Sequence, residues 1–300
     1  MTFSSAPRTT GAMLEPSQIL VTGGAGRLGS ALGREGCHTL GRAGVDITSP
    51  DSIAAALEAQ PPALVINAAA YTAVDRAETE LARAQAINGD GAGHLARACA
   101  ARGIPLIHIS TDCVFGDGDP ETPMTEQSPT DPLSVYGETK LDGERQVLAA
   151  GGQAVIARVA WLFDDGPGTF IDKMLTLAVG RSELQLVTDE WGRPTPVCHL
   201  SATLLALARI RLKGGAIPAI LHLGSGLAVS RYGWAEQIFQ VANQHGMAVP
   251  ALHKVSADRF PTPARRQRGC VLDTSLADGL LEPMPDWQIC SADAVKALLG

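Results

Sequence analysis

A phenol and an ammonium four residues apart, Tyr136 and Lys140, could act together on a carbonyl. Tyr136 and Lys140 fall on one face if the stretch from Leu133 to Arg145 is helical. A phenol loses its proton near pH 10 in water, and a neighbouring ammonium favours the phenolate, so Lys140 is expected to lower the pKa of Tyr136. Such a phenol is an acid suited to an alkoxide forming on a ketone oxygen. The pair alone is ordinary, since a Tyr and a Lys at this spacing also occur on solvated helix faces. Its meaning depends on what surrounds it.

The short β-branched run Pro105-Leu-Ile-His-Ile109 precedes Ser110-Thr-Asp and reads as a buried parallel strand. Ligands in open parallel sheets gather at the carboxyl ends of strands, which is where Thr111 and Asp112 would be delivered. Upstream, Gln18-Ile-Leu-Val-Thr22 is a strand that runs straight into Gly23-Gly-Ala-Gly-Arg-Leu-Gly29, followed by a helix. Glycines at 23, 26 and 29 suit a tight turn, backbone approach to a pyrophosphate and close helix–strand packing. The strand Cys37-His-Thr-Leu40 ends in Gly41-Arg42, without the acid that usually grips a ribose diol in an NAD-strict site. Arg42 could meet a 2′-phosphate, which favours NADPH and leaves NADH as the alternative; a solvated loop arginine is the other reading. Asp46-Ile47 and a capped helix from Ser49-Pro follow. Ala63-Leu-Val-Ile66 is a further core strand, ending in Asn67-Ala-Ala-Ala-Tyr-Thr, where small residues allow a flat ligand close. The helix from about Ala82 to Ala101 carries Asn88 in its interior; a buried Asn is either satisfied by the protein or orders water. The order β-α-β-α-β-α-β predicts an α/β fold, a Rossmann-like doubly wound parallel sheet.

With 45% hydrophobic residues, the 300-residue chain can bury a large core. A net charge of −7 argues against nonspecific nucleic-acid binding, and no apolar run reaches the 18 or so residues of a membrane span. Residues Met1 to Pro16 read as a loose extension without a leader pattern. Six scattered cysteines without a C-x-x-C pair fit reduced thiols in a cytoplasmic protein better than disulfides or a zinc site, so no metal ligand set is expected.

Taken together, the motifs resemble the extended short-chain dehydrogenase/reductases, and within them the dTDP-4-dehydrorhamnose reductase family. The resemblance rests on Thr22-Gly-Gly-Ala-Gly-Arg-Leu-Gly29, Ile66-Asn-Ala-Ala-Ala-Tyr-Thr-Ala-Val-Asp75, Ser110-Thr-Asp-Cys-Val-Phe115 and Tyr136-Gly-Glu-Thr-Lys140. Arg158-Val-Ala-Trp161, Asp189-Glu-Trp-Gly-Arg-Pro-Thr195 and Pro261-Thr-Pro-Ala-Arg-Arg266 add to it. It implies NADPH-dependent reduction of a dTDP-linked 4-keto-deoxysugar. Tyr136 would be the general acid, Lys140 its partner and the holder of the nicotinamide ribose, and Thr111 a donor to the carbonyl. For the cofactor it implies Gly23, Gly26, Arg27, Leu28 and Gly29 at the pyrophosphate, Asp46 and Ile47 at the adenine, and Ala68, Ala70, Tyr71 and Thr72 near the ribose. For the sugar nucleotide it implies Asp112, Cys113, Trp161, Arg265 and Arg266. A homodimer, in some members with Mg2+ between subunits, is compatible with the resemblance, although no ligand cluster in the sequence supports the ion. Three departures stand out: Cys113 where the family pattern has Tyr, Leu162-Phe-Asp-Asp165 in place of an aromatic-glycine stretch, and the missing acid after the second strand. The first of these motivates a different nucleotide-linked ketosugar as an alternative substrate. A non-catalytic regulatory subunit of the same fold is a further alternative, against which the intact Thr111, Tyr136 and Lys140 speak.

The expected division is a nucleotide-binding domain over 17–160, with a returning strand and helix from about 185–225, and a mainly substrate-binding lobe over 161–300. The long Gly116–Pro132 loop is expected to be a lid, and Phe260 to Arg268 a proline-held basic loop suited to a diphosphate. Trp161 could stack on a sugar or fill core.

Overall fold

Six short apolar runs form the frame: β1 (Ile19–Thr22), β2 (His38–Leu40), β3 (Leu64–Asn67), β4 (Leu106–Thr111), β5 (Ala154–Val159) and β6 (Ile220–Leu223). In the computed structural model, which describes residues 15–300, they make one parallel sheet in the order β6-β5-β4-β3-β1-β2. The expected N-terminal extension therefore lies outside the described residues except for its last two, of which Pro16 opens the turn Pro16–Gln18. All four residues of β1 and of β3 are buried, which explains why these strands read as continuous apolar runs rather than as alternating ones.

The helices α1 (Arg27–Arg34), α2 (Pro50–Ala59), α3 (Ala92–Ala101), α4 (Val135–Ala149), α5 (Phe170–Ala178), α6 (Val197–Leu212), α7 (Arg231–Gln244) and α8 (Trp287–Leu299) fill the connections. One face of the sheet is covered by α1 and α6, through Leu28, Leu32, Leu200 and Leu204. The other is covered by α2, α3 and α4, through Ile53, Leu57, Leu95 and Val147. From β1 the chain moves outward to β2, then crosses back to β3 and winds the other way. The winding reverses between β1 and β3, so a crevice opens at their carboxyl ends.

The helix expected from Ala82 has a wider turn in its middle: Gln85–Gly91 is π-helical between Leu81–Ala84 and α3. The extra residue per turn suits Asn88, whose side chain accepts from the Tyr71 N–H at 2.8 Å and donates to the Tyr71 carbonyl at 3.1 Å and to Thr139 at 3.2 Å. Asn88 is thus satisfied by the protein itself.

A second core lies beyond the sheet's carboxyl edge. It is built from α5, α7 and α8 and a parallel ribbon of Glu183–Val187 with Ala251–Val255. Trp234 sits at its centre, 1% exposed, with the rings of Trp161, Phe163, Phe170 and Trp287 around it. The 116–132 loop is docked on the C-terminal segment rather than poised over the crevice. Gly118 donates to the Arg268 carbonyl, Met124 donates to Val271 and accepts from Asp273, and Glu126 accepts from the His222 N–H on the edge strand β6. Docked in this way, it contributes no wall to the crevice.

Candidate active site

The glycine turn is shaped by close backbone contacts. Gly23 has φ +73°, and a Cβ on it would lie 2.7 Å from the Ala68 carbonyl; one on Gly29 would lie 2.3 Å from the Gly23 oxygen. Only glycine allows β1, β3 and α1 to meet this closely. Gly26 stands at the N-cap of α1, where side-chain capping is absent and the first N–H groups remain open to an anion. Arg27 extends from this turn to the Asp164 carboxylate and the Pro167 carbonyl.

A cavity of about 750 Å3 runs from this turn along the carboxyl edge of the sheet to Thr111, Asp112, Tyr136, Lys140 and Trp161. Gly23, Gly26, Arg27, Leu28, Gly29, Arg42, Asp46, Ile47, Ala68, Ala70 and Thr72 line its other parts. Arg42 is at its rim, paired with Asp46 at 3.2 Å; bonds from Thr48 hold the Asp46 carboxyl below its usual range. Sequence reading missed Ile87, Ile109, Val159 and Leu162 on the wall, because apolar residues carry no chemical signal of a site.

Four expected site residues are not on this wall. Tyr71 faces the other way, packed with Ala77 and Ala84, while its neighbours Ala70 and Thr72 take the cavity side. Cys113 lies in the turn after β4, its sulfur 3.7 Å from the Asp112 carboxylate and near Gln267. Arg265 is paired with Asp117, and Arg266 with Asp75 at 2.9 Å. Arg268 meets Asp189 and the nearby Asp258, so the basic loop is balanced by acids, and Asp75, Asp117 and Asp189 among them lie far from it in sequence.

The catalytic-type side chains depend on α4. Ser134 caps it, accepting from the Gly137 N–H at 3.2 Å. Tyr136, Lys140 and Glu144 follow at successive four-residue steps on one face. Glu144 is locked to the sheet: it accepts two bonds from Arg158 of β5, at 2.9 and 2.7 Å, and one from Ser110 of β4. The Glu144 and Arg158 side chains are 2% and 3% exposed, so the pair is a buried anchor. Two glycines let the helix press inward: a Cβ on Gly137 would lie 2.1 Å from the Cys113 oxygen, and one on Gly143 2.1 Å from the Asn88 oxygen.

Lys140 is 2% exposed, and its Nζ donates to the Ile109 carbonyl at 2.7 Å. Burial pushes the amine down to about 8, with Glu144 opposing. Its other neighbour is His108 Nε2 at 3.4 Å. A buried chain decides which proton His108 carries. The Thr22 hydroxyl and the Ala69 N–H both donate to Asn67 Oδ1, so Asn67 Nδ2 must donate to His108 Nδ1, at 3.0 Å. A neutral His108 then keeps its proton on Nε2, facing the amine. Burial first, and the Lys140 charge second, hold His108 well below its usual range. A polar residue inside the apolar run Leu-Ile-His-Ile was the available sequence signal for this network.

Tyr136 differs from expectation. Burial raises its phenol above the usual tyrosine range, and the nearby Cys113 and Asp112 raise it further, while the Thr111 hydroxyl beside it pulls the other way. Lys140, whose Nζ is engaged by the Ile109 carbonyl, is not among the groups that shift the phenol. The phenol therefore stays protonated. Thr111 donates to the Asp112 carboxylate at 2.9 Å and accepts from the Cys113 N–H at 3.1 Å. Burial raises the Asp112 carboxyl as well.

Trp161 both fills core and faces the cavity. Its backbone has φ 47°, uncommon for a bulky residue. The ring is held in place by stacking on Trp234 and by the Arg231 guanidinium 3.5 Å from its centroid. Glu190 pairs with Arg231 at 3.6 Å.

Residues 17–299 match the family described as RmlD substrate binding domain. The dTDP-4-dehydrorhamnose reductase of Mycolicibacterium smegmatis is 38% identical over 291 residues, covering 94% of this chain and 86% of that protein. A solved dTDP-4-dehydrorhamnose reductase from Clostridium acetobutylicum superposes with a TM-score of 0.84 at 30% identity, covering 94% of this chain and 99% of the other. The Bacillus anthracis enzyme, solved in complex with NADP, gives 0.82 at 28% identity, covering 94% and 98%. The fold, the glycine turn and the matches over nearly the whole length agree, and the chain belongs to the dTDP-4-dehydrorhamnose reductase family.

Proposed function

We propose that the protein reduces dTDP-4-dehydro-β-L-rhamnose to dTDP-L-rhamnose with NADPH. The observation that carries this reading is a single cavity with an open helix N-terminus and glycine turn at one end and Thr111, Tyr136 and Lys140 at the other. The relatives named for this activity, and the NADP complex of one of them, support it.

The residues present suit a phosphorylated dinucleotide. The close contacts at Gly23 and Gly29 leave backbone where side chains would block it, and Arg42 lies on the rim with no acid at the end of β2. Gly26, Arg27 and Leu28 would hold the diphosphate, Asp46 and Ile47 the adenine side, Arg42 a 2′-phosphate, and Ala68, Ala70, Thr72 and Lys140 the nicotinamide riboside. Bound NADPH supplies the hydride that reduces the ketone carbon.

The protein's own part is to supply the proton and steady the charge. Tyr136, protonated because it is buried, donates to the sugar oxygen as negative charge develops there. Thr111, whose hydroxyl donates to Asp112, would turn that proton to the same oxygen when substrate is bound, and the Lys140 ammonium stabilises the phenolate left behind. Trp161 closes the sugar end. A cytoplasmic location fits this reading.

The test is turnover of the purified protein with this ketosugar, followed as loss of NADPH. Tyr136→Phe is expected to lower kcat by about 10²–10⁴-fold with NADPH affinity retained. An unchanged kcat would overturn the acid assignment. Cys113 leaves room for a related nucleotide-linked 4-ketosugar as the preferred substrate, which the ranking within a substrate panel decides.

A further inference from the structure

Apart from the cavity, one group of ligand-type side chains converges on a point among the described residues. Cys198, His199 and Cys290 bring their donor atoms within 4.8 Å of one another. Cys198 and His199 are the second and third residues of α6, which packs under the sheet, and Cys290 lies in the first turn of α8 in the C-terminal lobe. The Cys290 sulfur is 3.4 Å from His199 Nε2 and 3.9 Å from Nδ1, and among the described residues the ring makes no other hydrogen bond. A tetrahedral zinc ion with Zn–S of about 2.3 Å and Zn–N of about 2.0–2.1 Å needs its sulfur and nitrogen ligands roughly 3.5–3.6 Å apart. The Cys290–His199 spacing already suits the ion, and the exposed Cys198, within 4.8 Å of both, has room to close on it. None of the three residues lines the cavity, and the proposed reaction does not use them.

We propose that Cys198, His199 and Cys290 form a Cys2His site for one Zn2+ ion that ties α6 of the nucleotide-binding frame to α8 of the C-terminal lobe. Two thiolates and an imidazole select a borderline-soft cation over Mg2+ or Ca2+. Binding releases the two thiol protons to solvent and needs no oxidant. Water takes the fourth position. Asp293, one helical turn beyond Cys290 and now paired with Lys296 at 3.0 Å, is the carboxylate best placed along α8 to replace it. The cysteines read as isolated thiols in the sequence because residues 198 and 290 are far apart along the chain.

The experiment uses the full-length protein, reduced and stripped with a chelator, and Co2+ as the optical probe. One equivalent is expected to produce sulfur-to-cobalt charge-transfer absorption and the intense visible bands of a tetrahedral site, both removed by Zn2+. Zn2+ is expected to raise the melting temperature by on the order of 5 °C. Cys290→Ser and His199→Ala are each expected to abolish the bands and the shift. Unchanged NADPH-dependent turnover in Cys290→Ser will show that the variant is folded, while His253→Ala, elsewhere on the surface, should bind as the parent does. Three results would each overturn the proposal: no stoichiometric binding by the parent, binding that survives Cys290→Ser, or a Cys198–Cys290 disulfide that forms while no metal binds.

Discussion

Lys140 is the residue whose environment most directly sets when the proposed reaction can run. Its amine has been pushed down to about 8 by burial, so the ammonium is nearly full below pH 7 and is lost as pH rises through 8, well before an exposed lysine would titrate. The profile of kcat/KM is therefore expected to be level near neutrality and to fall about tenfold per pH unit above roughly pH 8. A profile level to pH 10 would rule out a required ammonium with this pKa. His108 acts on that amine from behind, since its Nε2–H faces a positive group. Replacing it, as in His108→Leu, is expected to move the alkaline limb upward. The same change should cost about 1–3 kcal/mol of stability, because Asn67 loses the partner of its buried amide. A lower stability with an unmoved limb would reduce His108 to a packing residue. At the opposite end of the cavity, Arg42→Ala is expected to raise KM for NADPH about tenfold while leaving KM for NADH nearly unchanged, which steady-state kinetics with each cofactor will decide.

The element that matters most is α4, and its position is set by packing rather than by helix propensity. Two glycines in a helix interior are intrinsically unfavourable, yet at Gly137 and Gly143 the neighbouring carbonyl oxygens leave no space for a methyl group. Gly137→Ala must push α4 off the turn that follows β4. Because Tyr136 precedes this glycine and Thr111 belongs to the other side of the contact, kcat is expected to fall at least tenfold while the helical circular dichroism stays. Farther along α4, Arg158→Leu would leave Glu144 as a buried charge without its cation. That loss is expected to cost about 3–5 kcal/mol in urea unfolding. The presence of α4 was legible from Ser134 and the residues after it. Its exact pressure on the sheet was not, because Cys113 and Asn88 lie far from these glycines in sequence. The π-helical turn at Gln85–Gly91 was equally hidden, since an added residue in a helical turn leaves the local residue pattern almost unchanged.

For the molecule as a whole, the sheet and the C-terminal lobe meet along the edge where the cavity opens. Arg27 to Asp164 and Arg266 to Asp75 cross between them. Each such pair, partly exposed, is worth at most about 1 kcal/mol, so the lobes are held mainly by their apolar cores. A ligand that occupies the cavity should therefore stabilise the whole chain. NADPH at 100 times its Kd is expected to contribute about 2.7 kcal/mol, read as a melting shift of several degrees. No shift at saturating NADPH would remove the cavity as the dinucleotide site.

The winding of the sheet, the glycine turn and the presence of Thr111, Tyr136 and Lys140 were legible along the chain, because each lies in a short string of residues whose local geometry follows from their type. Tertiary structure alone decided the rest: that Tyr71 turns from the cavity, that acids neutralise the arginine loop, that burial raises the Tyr136 phenol, and that Cys290 reaches His199. These features depend on what lies across space from a residue, and on how far water is excluded around it. Neither is encoded in the order of its neighbours.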